Sequence, residues 1–127
     1  DIIAFMSILF FFIKERPDLS ISFTPKIGFI VALVSSIVRT PNRIHWFTGQ
    51  IWANKKGFSK AFFKLIDKLI YFLCHNVLID SISQKNFLIK EKVVLSKKSF
   101  VLLNGSVGGV NIKRFEKFHF PSNMVQV

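Results

Sequence analysis

A chain of 127 residues holds one domain at most, and with half of its residues apolar it has ample material for a core. Its formal charge of +11 points to an anionic partner: a nucleic acid, a phosphorylated ligand or an acidic membrane surface. Cys74 is alone, which excludes an internal disulfide and fits a reducing compartment.

The first apolar run, residues 2–13, reads as a buried helix over 1–15, closed at Arg16-Pro17 because the residue before proline is pushed out of helical angles. It is too short for the roughly 18 to 20 residues of a membrane span, as is the run at 27–38. Asp1 leads straight into it with neither a Met nor a basic leader, so the sequence predicts a fragment without a secretion signal. LSISF, 19–23, alternates as a strand does. Pro25 suits the first turn of a helix running to about Arg39. Thr40-Pro41-Asn42 then turns the chain into a second strand, RIHWF, 43–47. After a loop through Gly57, Ser59 is the expected N-cap of a long helix, 60–75. VLID, 77–80, is a third strand, Ser83 the expected cap of a helix over 84–91, and FVLL, 100–103, a fourth strand.

Strands alternating with helices need crossover connections, which predicts an α/β, Rossmann-like, three-layer domain whose mainly parallel sheet is covered on both faces. In such sheets ligands bind beyond the carboxyl ends of the strands. The segments there read FTPKIG, FTGQ, DSIS and LNGS, all supplying hydroxyls, amides or glycine. Thr24, Lys26 and Gly28 put a hydroxyl, a cation and a glycine at a helix start, where free N–H groups favour an anion, although Thr-Pro is also an ordinary helix opening. Asn104-Gly105-Ser106-Val107-Gly108-Gly109 is not a dinucleotide fingerprint, since no helix pattern follows it, and a glycine-rich turn is the plainer reading. Lys56, Lys60, Lys64 and Lys68 recur every four residues beside an apolar row. They suit either acidic lipid headgroups or an ordinary solvated face. His45, His75 and His119 are too scattered for a metal site, so no metal is expected.

Taken in order, TPKIG, RIHWFTGQIWANKKG, VLIDSISQKNFLIKE and LLNGSVGGVNIKRF resemble the amino-terminal, acceptor-side domain of bacterial family 4 glycosyltransferases, which have the GT-B fold, and most of all the branch that builds capsule, O-antigen and lipid-linked glycans. The resemblance covers residues 1–115, leaving 116–127 as a tail or the start of an interdomain segment. It implies half of a GT-B fold, with the family's first strand upstream and the donor domain with its paired glutamates downstream, so that this chain alone transfers no sugar. The function it implies for the full enzyme is sugar transfer, with retention, from a nucleotide sugar to a lipid-linked saccharide. No cofactor is needed, because the nucleotide sugar is a substrate held mostly by the other domain. It places the protein in the cytoplasm, peripheral at the inner face of the cell membrane.

The resemblance implies substrate contacts at Thr24, Lys26 and Gly28, at Thr48, Gly49 and Gln50, at Ser81 and Ser83, and at Asn104 and Gly105. Gly49 is expected either to avoid intruding on a ligand or to supply a positive φ. Wider relatives carry a histidine where this sequence has Thr48, and His45 should face away from that position because side chains alternate along a strand. The catalytic base is left open. Two other classes stay in view: a nucleic-acid binder, for which no recognition pattern is visible and no nucleic-acid partner is expected, and a structural membrane-peripheral protein.

Overall fold

In a computed structural model describing residues 2–102 and Gly105, helix α1 (Ile2–Glu15) leads into strand β1 (Leu19–Ser22), and the chain then alternates: α2 (Pro25–Ile37), β2 (Asn42–Phe47), α3 (Gly57–Leu73), β3 (Asn76–Ile79), α4 (Ile82–Lys90), a 3-10 turn (Ser96–Lys98) and β4 (Ser99–Phe100). The four strands form one parallel sheet in the order β1-β2-β3-β4. This is the expected Rossmann-like α/β arrangement, with element bounds mostly within two residues of those read from the sequence.

Three local expectations are corrected. Helix α3 starts at Gly57, with Lys56 rather than Ser59 in the N-cap position and no side-chain cap. Gly57 has φ +59°, a left-handed turn that lets the chain enter the helix early. Helix α4 is capped by Ser81, not Ser83: Gln84 N–H donates to Ser81 Oγ at 3.1 Å. Ser81-x-x-Gln84 is half of a capping box, the stronger signal. Strand β4 pairs only over Ser99–Phe100 among the described residues.

The register fixes what each face carries. Ser22, His45, Val77 and Ser99 stand side by side, as do Phe47 and Ile79, and all are buried. Phe47, Val77 and Ile79 join Ala32 of α2, Ile70 of α3 and Leu88 of α4 in the main core. A strand order that follows the chain, with right-handed crossovers, sends successive helices to the same side. The opposite face carries Ile21 beside Ile44 and the row Trp46, Leu78, Phe100. Among the described residues it has no helical cover, and Ile21 and Phe100 are each nearly half exposed. The expectation of a sheet covered on both faces is therefore met on one face within these residues. Helix α1 packs on α2 through Phe12, Ile30 and Val34 in a second, smaller cluster.

Candidate functional site

The carboxyl ends of the strands bring several expected residues together. Beyond β2, Gln50 reaches across to the start of α4: Gln84 Nε2 donates to Gln50 Oε1 at 3.2 Å. Gln84 Oε1 accepts from Asp80 N–H at 3.1 Å, and Ser81 Oγ lies 3.0 Å from Ser83 Oγ. These bonds orient the Gln50 amide, whose Nε2 is buried with no partner among the described residues. A donor held in place and left unsatisfied at a strand end is ready for a ligand acceptor atom. Gly105, at φ +82°, packs on the same corner; a Cβ there would lie 2.7 Å from Asp80 O. Asn104 lies outside the described residues. Gln84 joins the network unforeseen, although its spacing from Ser81 is the visible sign of its position.

Thr24 sits at the N-cap of α2 with no side-chain capping bond, exposed, and Pro25 occupies the first turn. Lys26 is exposed and Gly28 buried one turn on. Glycine in a helix costs about 1 kcal/mol against alanine, so its presence needs a packing reason. Here the reason is His45: a Cβ on Gly28 would overlap His45 Cε1 and lie 2.8 Å from Nδ1. That ring is 1% exposed, accepts or donates a 2.8 Å bond at Ser22 Oγ, and meets Phe47 edge-on. Burial lowers its pKa from 6.5 to about 4. As expected, His45 faces the core, away from the exposed Thr48.

Gly49 behaves differently. Among the described residues no atom lies within 4 Å of a Cβ built on it, and its φ is not positive, so the backbone explanation fails and open space remains. Gly28→Ala is expected to lower stability by about 1 to 3 kcal/mol through overpacking against His45, while Gly49→Ala stays within about 0.5 kcal/mol of the parent. Thermal denaturation of the two variants checks this contrast.

The loop after Gln50 is pinned by Trp52, 1% exposed. Its Nε1–H donates to Asp67 Oδ2 at 2.7 Å, its ring stacks on Phe87, and the ammonium groups of Lys60 and Lys64 lie 5.8 and 5.6 Å from its centroid. The aromatic residues of HWFTGQIW thus belong to the scaffold, while Thr48 and Gly49 between them are exposed and Gln50 is half-buried. Burial raises the Asp67 pKa to about 6, partly opposed by the Trp52 bond. No sequence signal joins Trp52 to Asp67, fifteen residues apart.

The lysine row divides. A spacing of four on a helix of 3.6 residues per turn drifts by about 40° a step. Lys64 therefore turns to Glu91, at 2.7 Å, with Lys60 at 3.9 Å, while Lys56 and Lys68 stay exposed. The neighbouring residues Phe58, Phe62, Leu65, Leu69 and Phe72, spaced by four and three, keep to one face and are 39% to 86% exposed. That outward apolar ridge escaped the sequence reading, which counted Phe62, Leu65 and Leu69 with the apolar row beside the lysines. Among the described residues no helix is long and apolar enough to cross a membrane, and no cluster of three His, Cys, Asp or Glu is placed to hold a metal.

No protein-family model matches the chain, and no solved structure matches it. Over 126 residues it is 29% identical to the capsular polysaccharide biosynthesis glycosyltransferase CapM of Staphylococcus aureus. The match takes in 99% of this chain and 32% of that protein, so the chain spans about a third of its relative's length. The chain is a distant homologue of one part of a capsular polysaccharide glycosyltransferase.

Proposed function

We propose that this chain is the acceptor-side part of a glycosyltransferase that moves a sugar from a nucleotide donor to a lipid-linked saccharide in surface polysaccharide synthesis. The acceptor-side part would span residues 1–115, with 116–127 either a tail or the start of an interdomain segment. The observation that carries the reading is the Gln50 amide, fixed by Gln84 at the carboxyl edge of a parallel sheet with its own N–H groups unpartnered among the described residues. An amide presents both donor and acceptor to sugar hydroxyls. Thr24 and Lys26 at the start of α2 would receive the acceptor's phosphates, with Gly28 one turn behind them, its N–H already donated to Thr24 O, and Thr48, Gly49, Ser81, Ser83, Asn104 and Gly105 would complete the rim.

Gln50→Ala in the protein with its natural flanking sequence should reduce transfer by about ten- to a hundredfold, the loss of one or two hydrogen bonds made to substrate, and move the melting temperature little. Transfer unchanged in a radiolabelled-sugar assay would overturn the site. The 127-residue chain by itself should give no product above blank with any nucleotide sugar.

The same reading sets the protein against an acidic membrane face. Support comes from the α3 ridge, where exposed phenylalanines and leucines run beside Lys68 in a chain of net charge +11. Phe58→Ser with Phe72→Ser should release the protein from phosphatidylglycerol vesicles in a sedimentation assay, since each ring contributes about 1.5 to 3 kcal/mol when fully buried. Lys56→Gln with Lys68→Gln should weaken the same binding by about 1 kcal/mol per charge. Unchanged sedimentation of both variants would leave α3 an ordinary solvated helix.

A further inference from the structure

A cavity of about 470 Å³ lies at the opposite end of the sheet from the candidate cleft. It opens between the end of α1, with the Arg16-Pro17-Asp18 turn that follows, and the turn 38–41 that leads from α2 into β2. Both turns deliver the chain to the amino ends of strands, whereas the cleft lies beyond their carboxyl ends. The six residues of β2 put about 20 Å between the two places. The volume suits a small molecule better than a bare ion. Phe12 and Val38 contribute to its apolar wall, and Arg16, Arg39 and Thr40 to its polar one.

Each arginine follows a helix end with a left-handed backbone, at φ +46° for Arg16 and +59° for Arg39. The helix dipole favours a cation at such an end, which explains the charges one at a time. It does not explain Thr40, which is 2% exposed. The Thr40 N–H donates to Ser35 O at 2.8 Å, and its carbonyl accepts from Arg43 Nη1 at 2.8 Å. Only its Oγ1 is left, buried with no partner among the described residues, a cost that a ligand oxygen would remove. Nor does either guanidinium have a side-chain partner among those residues. Carbonyls at the two helix ends do not compete for them alone, since Phe12 O, Ser36 O and Ser35 O already accept from Arg16, Arg39 and Thr40 N–H. Asp18, the acidic residue of the wall, is exposed.

Two guanidiniums and a hydroxyl match an oxyanion with three terminal oxygens, where a carboxylate would use two. The apolar wall calls for an organic body attached to it. We propose that this cavity binds a phosphomonoester, its phosphate held by Arg16, Arg39 and Thr40 Oγ1 and its body laid against Phe12 and Val38. The site is separate from the acceptor cleft and stands without the acceptor reading.

Calorimetric titration of the protein, with its natural flanking sequence, by phenyl phosphate, inorganic phosphate and benzoate tests the assignment. Phenyl phosphate should bind about tenfold more tightly than either of the others, because it alone uses both walls. Arg16→Gln and Arg39→Gln should each weaken it about tenfold. Thr40→Val, of the same shape, should weaken it about fivefold without lowering the melting temperature, since the hydroxyl it removes has no partner before the ligand arrives. Asp18→Asn should tighten it about threefold by removing a like charge. Vesicles containing phosphatidic acid separate the two sources of such a phosphate: sedimentation that falls in Arg16→Gln with Arg39→Gln assigns a lipid head, and sedimentation that does not assigns a soluble ester. Equal binding of inorganic phosphate or benzoate, affinity unchanged in both arginine variants, or no binding because another segment fills the cavity would each overturn the proposal. So would weakening by Lys26→Gln, which would put the anion in the acceptor cleft. Should an arginine variant fail to fold, Asp18→Asn and the three-ligand comparison on the parent protein still decide.

Discussion

Phe47→Ala is expected to destabilise the protein by about 3 to 5 kcal/mol, the usual cost of removing a fully buried ring. Phe47 is 2% exposed, lies beside Ile79 in register and meets the edge of His45, so its loss opens a hole where β2, β3 and the helical layer meet. The comparison with Gln50→Ala gives the result its meaning. Three residues apart in sequence, the two positions should separate cleanly, one losing stability and the other losing transfer. Urea titration of both variants beside the transfer assay measures the separation. A Gln50→Ala protein as unstable as Phe47→Ala would make the whole stretch scaffold.

The second large effect is a pair of opposed pH dependences. Asp67 has a folded pKa near 6 against 3.8 for an ordinary Asp carboxyl, so the folded state binds its proton more tightly than the unfolded chain does. Stability from this group is greatest below about pH 4 and is lost as pH rises to about 6; beyond that, the buried charge costs about 3 kcal/mol. His45 runs the other way. Its folded pKa near 4 lies below 6.5, so stability is full above about pH 6.5 and falls by about 3 kcal/mol as pH drops to 4. The two trends largely cancel between pH 4 and 6.5.

Asp67→Asn keeps an oxygen for the Trp52 N–H and removes the charge. It should raise stability by about 3 kcal/mol at pH 7, converge with the parent below pH 4, and expose the steep His45 dependence that the parent conceals. Denaturant titrations of parent and variant at pH 4, 5.5 and 7 test this, and a constant difference across that range would show that Asp67 does not titrate as its burial requires.

Much of the scaffold was legible from local pattern. Alternation in LSISF and RIHWF, prolines at 17, 25 and 41, and the apolar runs between them located the strands and helices, because backbone sterics and side-chain period act within a few residues. The alternation also decided that a parallel sheet would form, and that polar segments would gather at its carboxyl edge. Only the tertiary structure decided which side chains meet there. Gln50 finds Gln84 thirty-four residues away, Trp52 finds Asp67, and Gly28 makes room for His45, none of which has a local signature. Chain-ordered strands place α2, α3 and α4 together over one face, a global consequence of crossover handedness that no single segment encodes. The lysine row shows the same limit from the other side: its spacing is visible in the sequence, but whether each ammonium meets water, Glu91 or the Trp52 ring depends on what the helix packs against.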